Sequence, residues 1–458
     1  MPPIKVLLQK RLPKSSFARA VGMLVGGTAV AQAITIAALP ILTRLYSPDD
    51  FAILAIYTSL LSILTVIACL RLDIAIPIPK EDGEAIDLLK LSLIFTFITS
   101  AITTLGLWLF GDMLLDKLNK ELLKPYVWLL PIGVLLGGCY STVQYWSMRK
   151  KNFKAITQTK IAQAAGGTAA QLGFGSIGKM GPLGLISGHI LISGLGIFKL
   201  GRYALKDIRF NEQAKPKGGL VGTLKKYEKF PKYSTLEAFA NIAAIQLPIL
   251  IIGTMAIGPE AGYLMLAMKA SALPLGVIGG AVSQVYLSQA PEELRAGRLG
   301  EFTAGIVAKL IAVGVGPLVA IGILAPCVMG FILGPEWSRT GEIVLLLTPW
   351  FIMQFLSSPV SMALHVTGNL KLALANQIYG FVLRVGLTLL AAYFFKERLV
   401  QLYALSGFLF YSVYFLVVMY TTGVRPAQLG RKLLKPIGYV FVWLAVSLAV
   451  ALPLTQAI

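Results

Sequence analysis

The chain has 458 residues, 56% of them hydrophobic and only 14% charged, with a mean hydropathy of +0.75. A soluble domain carries about 25% charged residues, so this composition excludes a soluble globular protein and places most of the mass in a bilayer. The net charge of +20 would suggest nucleic acid in a soluble chain; here it reads as Lys and Arg collected in cytoplasmic loops by the positive-inside rule, and no nucleic-acid partner is expected.

Taken in order, the chain opens on a basic segment with Lys5, Lys10, Arg11, Lys14 and Arg19. The apolar run behind it is too long for a signal-peptide core and ends in Thr43-Arg44 without a small-residue cleavage site. It reads as a first span with the N-terminus in the cytoplasm. Apolar runs of helical length predict spans over 18–42, 51–74, 88–110, 123–147, 153–176, 181–200, 234–257, 260–288, 302–333, 341–366, 370–395, 399–421 and 436–456. The fold class is therefore an all-α integral membrane protein of about 12–13 transmembrane helices. The last segment either crosses the membrane or lies along it. With the N-terminus inside, Arg149-Lys150-Lys151, the 201–233 segment, Arg295/Arg298 and Arg425/Arg431/Lys432/Lys435 fall on the inner side. Asp49-Asp50, Asp112/Asp116, Glu260 and Glu336 fall outside.

Two halves repeat. Ser47-Pro48-Asp49-Asp50-Phe51-Ala52 and Ile257-Gly258-Pro259-Glu260-Ala261-Gly262 are tight turns that pass straight into a helix. Asn152-Phe153-Lys154 and Asn369-Leu370-Lys371 each open a span. Six spans separate the copies, so the repeat is parallel, about an axis along the membrane normal. The domains expected are a six-helix bundle over 1–200, a cytoplasmic linker over 201–233, a second six-helix bundle over 234–422, and a basic loop with a possible extra helix over 423–458. Within the linker, 213–219 is polar and Gly/Pro-bearing, hence flexible. Leu220, Leu224, Tyr227 and Phe230 then recur at helical spacing against Lys225, Lys226, Lys229 and Lys232, the pattern of a basic amphipathic helix on the anionic inner leaflet.

Charge inside the spans is the functional signal. Lys269 lies roughly ten residues into its span, about 15 Å deep at helical rise. A cation there is costly unless it faces a polar cavity or a partner. Pro274, Gly276, Gly279 and Gly280 follow it, so this helix can bend and be closely approached. Arg384 is about 13 residues into its own span, too deep for easy snorkelling. Together they read as a cationic cavity for phosphate, Arg by bidentate contact and Lys as a point charge; the plainer reading is neutralisation within the bundle. Lys160 and Lys309 lie nearer the cytoplasmic side, either snorkelling or lining the way in. Arg71, beside Asp73 at the inner end of span two, is a further substrate-binding candidate whose plainer role is snorkelling. Glu237, ahead of Asn241 and Gln246, is a candidate for proton or ion coupling; within a first helical turn it also complements the helix dipole.

No Walker A sequence, no strand–helix GxGxxG and no HExxH occurs, and the two histidines, His189 and His365, are far apart. Neither cofactor nor metal is expected, and the chain does not read as an enzyme, a carboxylate-dependent membrane glycosyltransferase being the formal exception. Cys69, Cys139 and Cys327 sit in apolar runs without CxxC spacing and read as buried thiols. A cation-extruding antiporter of the same general design would need intramembrane carboxylates, which this chain nearly lacks.

The first two spans, GMLVGGTAVAQAITIAALPILTRLYSPDDFAILAIYTSLLSILTVIACLRLDIAIPIP, resemble the opening of bacterial Wzx-type oligosaccharide flippases of the multidrug/oligosaccharidyl-lipid/polysaccharide superfamily. FPKYSTLEAFANIAAIQLPILII with GPEAGYLMLAMKASALPLGVIGGAVSQVY is similar to that family's seventh and eighth helices, and QIYGFVLRVGLTLL to its eleventh. The resemblance implies two six-helix bundles facing each other in a MATE-like V. It implies alternating access that carries undecaprenyl-diphosphate-linked oligosaccharide from the inner to the outer leaflet of the bacterial inner membrane, for lipopolysaccharide, O-antigen or exopolysaccharide. A monomer working beside polysaccharide polymerase machinery is the expected setting. A basic residue, usually Arg, is common at the Lys269 position in that family. A MATE-type multidrug antiporter is the alternative.

Overall fold

The computed structural model describes residues 16–117, 124–178, 180–210 and 219–457. Every regular element among them is helical. The first half comprises α1 (Ser16–Ala37), α2 (Pro48–Ala68), α3 (Asp82–Lys117), α4 (Leu130–Arg149), α5 (Phe153–Gly178) and α6 (Pro182–Phe210). A short α7 (Gly219–Lys226) leads to the second half: α8 (Thr235–Met255), α9 (Glu260–Pro274), α10 (Gly280–Arg295), α11 (Leu299–Leu310), α12 (Gly316–Leu333), α13 (Ser338–Ser357), α14 (Leu370–Phe394) and α15 (Leu399–Thr422). α16 (Pro426–Ala457) closes the chain.

Eleven helical segments among the described residues are long and apolar enough to cross a membrane. The span expected at 436–456 is one of them: Pro426–Pro453 forms a single apolar helix on α12, with Trp443 over Gly316. The expected span over 153–176 is present as α5 but falls short of the others in apolar content, because Lys160, Gln163 and Gln171 interrupt it. The span expected over 260–288 is broken by a π-helical turn, Leu275–Gly279, directly after Pro274. Proline removes one backbone donor and crowds the preceding turn, which is why α9 and α10 are separate elements.

The repeat is visible in backbone hydrogen bonds. At the end of the fourth span of the first half, Lys151 takes φ +54° and Asn152 N donates to Ser147 O. In the second half Gly368 takes φ +74° and Asn369 N donates to Leu364 O. Both closures are left-handed helix stops of the kind that satisfy terminal carbonyls.

One end of the interface between the halves is sealed. Ser47 and Asp50 form a capping box at the start of α2, which fixes where that helix begins. Gly262 of α9 sits so close to the start of α2 that an added Cβ would lie 2.3 Å from Pro48 O. Trp337, 1% exposed, donates Nε1–H to Thr43 O at 3.0 Å and stands edge-on to Phe51 and Tyr263. Midway, Ser59 Oγ donates to Gln246 Oε1 at 2.9 Å. Each buried ring contributes about 1.5–3 kcal/mol by leaving water, so this seam is a firm contact.

At the other end lie the basic loops. Arg149 bonds Pro79 O at 2.5 Å and Asp82 at 2.8 Å, and Lys150 bonds Asp82 at 2.7 Å, so these two cations clamp the 76–82 loop onto α4. Part of the expected flexible linker, 211–218, lies outside the described residues. The amphipathic helix exists, but its apolar face is not left for lipid. Leu220, Leu224, Tyr227 and Phe230 pack on the buried cluster of Leu72, Ile76, Leu89 and Trp146. Thr223 donates to Asp87 and Lys226 pairs with Glu84 at 2.5 Å; the Glu84 carboxylate holds the Lys226 ammonium above the usual lysine range. The periodicity was that of a docked helix, and periodicity alone does not name the apolar surface that receives it. α3 behaves oppositely: Phe97, Ile102, Leu105 and Trp108 are all exposed, the face a bilayer would cover.

Candidate functional site

A cavity of about 410 Å³ lies where the halves meet. α1 contributes Thr28, Ala31, Gln32, Thr35 and Ile36, spaced along one helical face; α5 contributes Lys160 and Gln163; α9 contributes Lys269. The volume lies within the roughly 300–1,000 Å³ of small-ligand sites. Both ammonium groups on its wall are half-buried. Lys160 Nζ donates to Thr28 Oγ1 at 3.3 Å. Lys269 makes no hydrogen bond or ion pair with any described residue, and its charge is felt at His189. No carboxylate among the described residues lines the cavity. Gly276 lets the broken helix approach α1 closely: a Cβ there would stand 3.2 Å from Gln32 Oε1.

The structure thus brings together two of the sequence-predicted cations, one from each half. It separates the others. Arg384 is 2% exposed inside the second half, its Cζ 4.2 Å from the centre of the Phe410 ring, and it does not line the cavity. Lys309 is exposed on α11, away from the cavity. Arg71 follows Leu70 in a left-handed backbone pair, φ +47° and +58°, a conformation that costs a non-glycine residue energy and re-aims its side chain. The outcome is that Arg71 stands between two cavities. One, of about 360 Å³, lies within the first half with Asp73, Ser141, His189 and Ser193; the other, of about 190 Å³, is shared with Glu237, Asn241 and Gln377. Asp73 accepts from Ser141 Oγ at 2.5 Å. Arg71 and Glu237 face the same space without forming an ion pair.

Sequence reading passed over Thr28, Gln32 and Gln163, polar groups that look unremarkable one at a time. Their signal is positional: Thr28, Gln32 and Thr35 share one face of the first span, and Lys160 and Gln163 share one face of the fifth. His189 is far from His365 in sequence, yet it lines the first-half cavity together with Asp73.

Two helical halves, sealed at one end and enclosing a cavity with two lysines on its largely apolar wall, form the fold of a polytopic membrane protein. Solved structures share it. The chain matches an inward-facing multidrug resistance MATE family transporter of the MOP superfamily with a TM-score of 0.70 at 13% identity, covering 86% of this chain and 94% of that one. It matches the outward-facing conformation of a MATE family transporter of that superfamily at 0.53 and 14%, over 88% and 94%. It matches the lipid II flippase MurJ, in an inward closed conformation, at 0.50 and 14%, over 96% of each chain. At such identities the likeness shows the fold. Comparison with curated proteins by sequence gives no match. The family model for polysaccharide biosynthesis proteins matches residues 41–342, and the chain belongs to that family.

Proposed function

We propose that the protein translocates a polyprenyl-diphosphate-linked oligosaccharide, undecaprenyl diphosphate being the bacterial carrier, from the inner to the outer leaflet of the cytoplasmic membrane by alternating access. The observation that carries this is the junction cavity with Lys160 and Lys269 on its wall and no carboxylate among the described residues. Such a site favours an anionic group and disfavours the cationic substrates of a multidrug antiporter. Lys269, unpaired, supplies the larger share of the attraction to diphosphate. Lys160 holds the near side from α5. Arg71 adds a cation to the neighbouring pockets, and Glu237, sharing one of them, is the group assigned to ion coupling. Lys309, on the basic end, attracts the headgroup before it arrives. The N-terminus and the basic loops lie on the cytoplasmic side, and the Trp337 seam is the outer closure that must open for release.

Translocation in proteoliposomes tests this. A fluorescent polyprenyl-diphosphate oligosaccharide is followed by its accessibility to an external quencher, for the wild type and Lys269→Ala. Acceleration by the wild type and its loss in the variant support the reading. Equal acceleration by both removes Lys269 from the site, and no acceleration with several glycans, together with uptake of cationic drugs, overturns the flippase reading.

A further inference from the structure

The interior of the second half holds a cation that no described residue pairs with. Arg384 is 2% exposed. Its guanidinium makes no hydrogen bond or ion pair with a described residue, and Nε is buried and unpartnered. Its contacts are rings: Phe410 at 4.2 Å and Tyr411 at 5.7 Å from Cζ. A guanidinium carries five N–H donors and no acceptor, and does not lose its proton. Cation–π contact offsets part of its desolvation but accepts none of those hydrogens.

The polar groups around it are an indole and two phenols. Trp350 stacks against Tyr411 at 6.4 Å and meets Tyr403 edge-on at 5.0 Å. Trp350 Nε1 and Tyr403 Oη are buried without a partner, at 3% and 0% residue exposure. The Arg384 charge acts on both the Tyr403 and Tyr411 hydroxyls. An indole N–H only donates, whereas a phenol both donates and accepts. One neighbourhood, built from α13, α14 and α15, therefore holds a permanent cation, an unpartnered indole donor and an unpartnered phenol, and no carboxylate pairs with them among the described residues. Buried polar groups are nearly always satisfied, and a buried charge without a counter-charge is strongly unfavourable.

We propose that this neighbourhood binds a small inorganic monovalent anion, with Arg384 as the counter-charge and Trp350 Nε1–H and Tyr403 O–H as donors. Packing sets the size. The Trp350 ring lies on Gly407 and the Phe410 ring on Gly380, so that an added Cβ would stand 2.0 Å and 2.3 Å from them respectively. Rings seated on helix backbone cannot swing aside for a phosphate ester with a lipid tail, whereas a halide needs the space of one atom. The site is separate from the junction cavity and does not depend on what the protein transports.

The test is thermal unfolding of the purified full chain in detergent, with sodium chloride or bromide exchanged for gluconate at constant ionic strength. A ligand that binds only the folded state raises its midpoint with concentration. The expected result is a saturable rise for the wild type, retained in Lys269→Ala and lost in Arg384→Met, which also melts no lower than wild type when halide is absent. Trp350→Phe keeps the ring but removes the donor, and raises the half-saturating halide concentration roughly tenfold; it serves if Arg384→Met does not fold. Anomalous scattering from bromide in contact with Arg384 is the direct observation. A wild-type midpoint indifferent to halide, a rise unchanged in Arg384→Met or in Trp350→Phe, or bromide found at Lys269 in place of Arg384, overturns the proposal.

Discussion

Lys269 and Arg384 are both cations well inside long helices of the second half, yet the structure treats them in opposite ways. Lys269 faces a cavity of about 410 Å³ that it shares with Lys160, and is half-buried. Arg384 is enclosed by rings and 2% exposed. The difference comes from the neighbours each helix finds. α9 packs against α2 of the other half and α13 of its own, and faces α1 and α5 across the cavity. α14 packs within its own half, against α8 and the aromatic face of α15. Depth in a span tells that a charge needs an explanation; only packing tells whether water, a ligand or a ring supplies it.

The largest effect should appear in the dry region. Trp350→Ala removes a ring that touches Phe351, Tyr403, Tyr411 and Gly407. Burial on this scale predicts destabilisation of about 3–5 kcal/mol, read as a lowered midpoint in detergent. A loss below about 1 kcal/mol would mean that the cage is loosely packed and would weaken the contrast. In the wet region the expectation reverses. Lys269→Ala should leave the midpoint unchanged or raised, because no protein partner is lost, while slowing translocation at least roughly tenfold, or about 1.4 kcal/mol of barrier. A variant that melts early would show Lys269 to be structural. Smaller is Gly407→Ala, whose Cβ would stand 2.0 Å from the Trp350 ring; overpacking of this kind costs about 1–3 kcal/mol. Gly280→Ala, with nothing within 4 Å, is the matched control and should be neutral.

The helical architecture was legible because it depends on local composition. Twenty apolar residues make a span wherever they occur, and the repeat could be read from paired turns because Asn152 and Asn369 stop and restart helices by the same backbone closure. Lys269 and Lys160 were legible as charges out of place. What could not be read was which partner each helix meets. Leu220, Leu224, Tyr227 and Phe230 gave a correct amphipathic period and a wrong surface, since the Leu72–Trp146 cluster that receives them comes from distant parts of the chain. Arg384 was assigned to the cavity on depth alone, and the residues that enclose it, Phe410 and Tyr411, carry no sign in the sequence that they face it. Arg71 needed a backbone fact, the positive φ at 70 and 71, before its place between two pockets made sense.

The smallest predicted effect separates the two lysines of the cavity. Lys160 Nζ already donates to Thr28 Oγ1, so part of its hydrogen-bonding capacity is spent on α1, whereas Lys269 is unbonded. In a wet cavity a unit charge about 4 Å from an anion contributes about 1 kcal/mol, roughly a fivefold change in rate or affinity. Lys160→Met should therefore slow translocation roughly fivefold, with Lys160→Arg near wild type because charge and reach survive. Combined with Lys269→Ala it should give less than the product of the single effects if both ammonium groups bind the same diphosphate, since each single change already removes part of their shared contribution. A strictly multiplicative double variant would place the two lysines on separate parts of the substrate, with Lys269 at the headgroup and Lys160 on the path towards it.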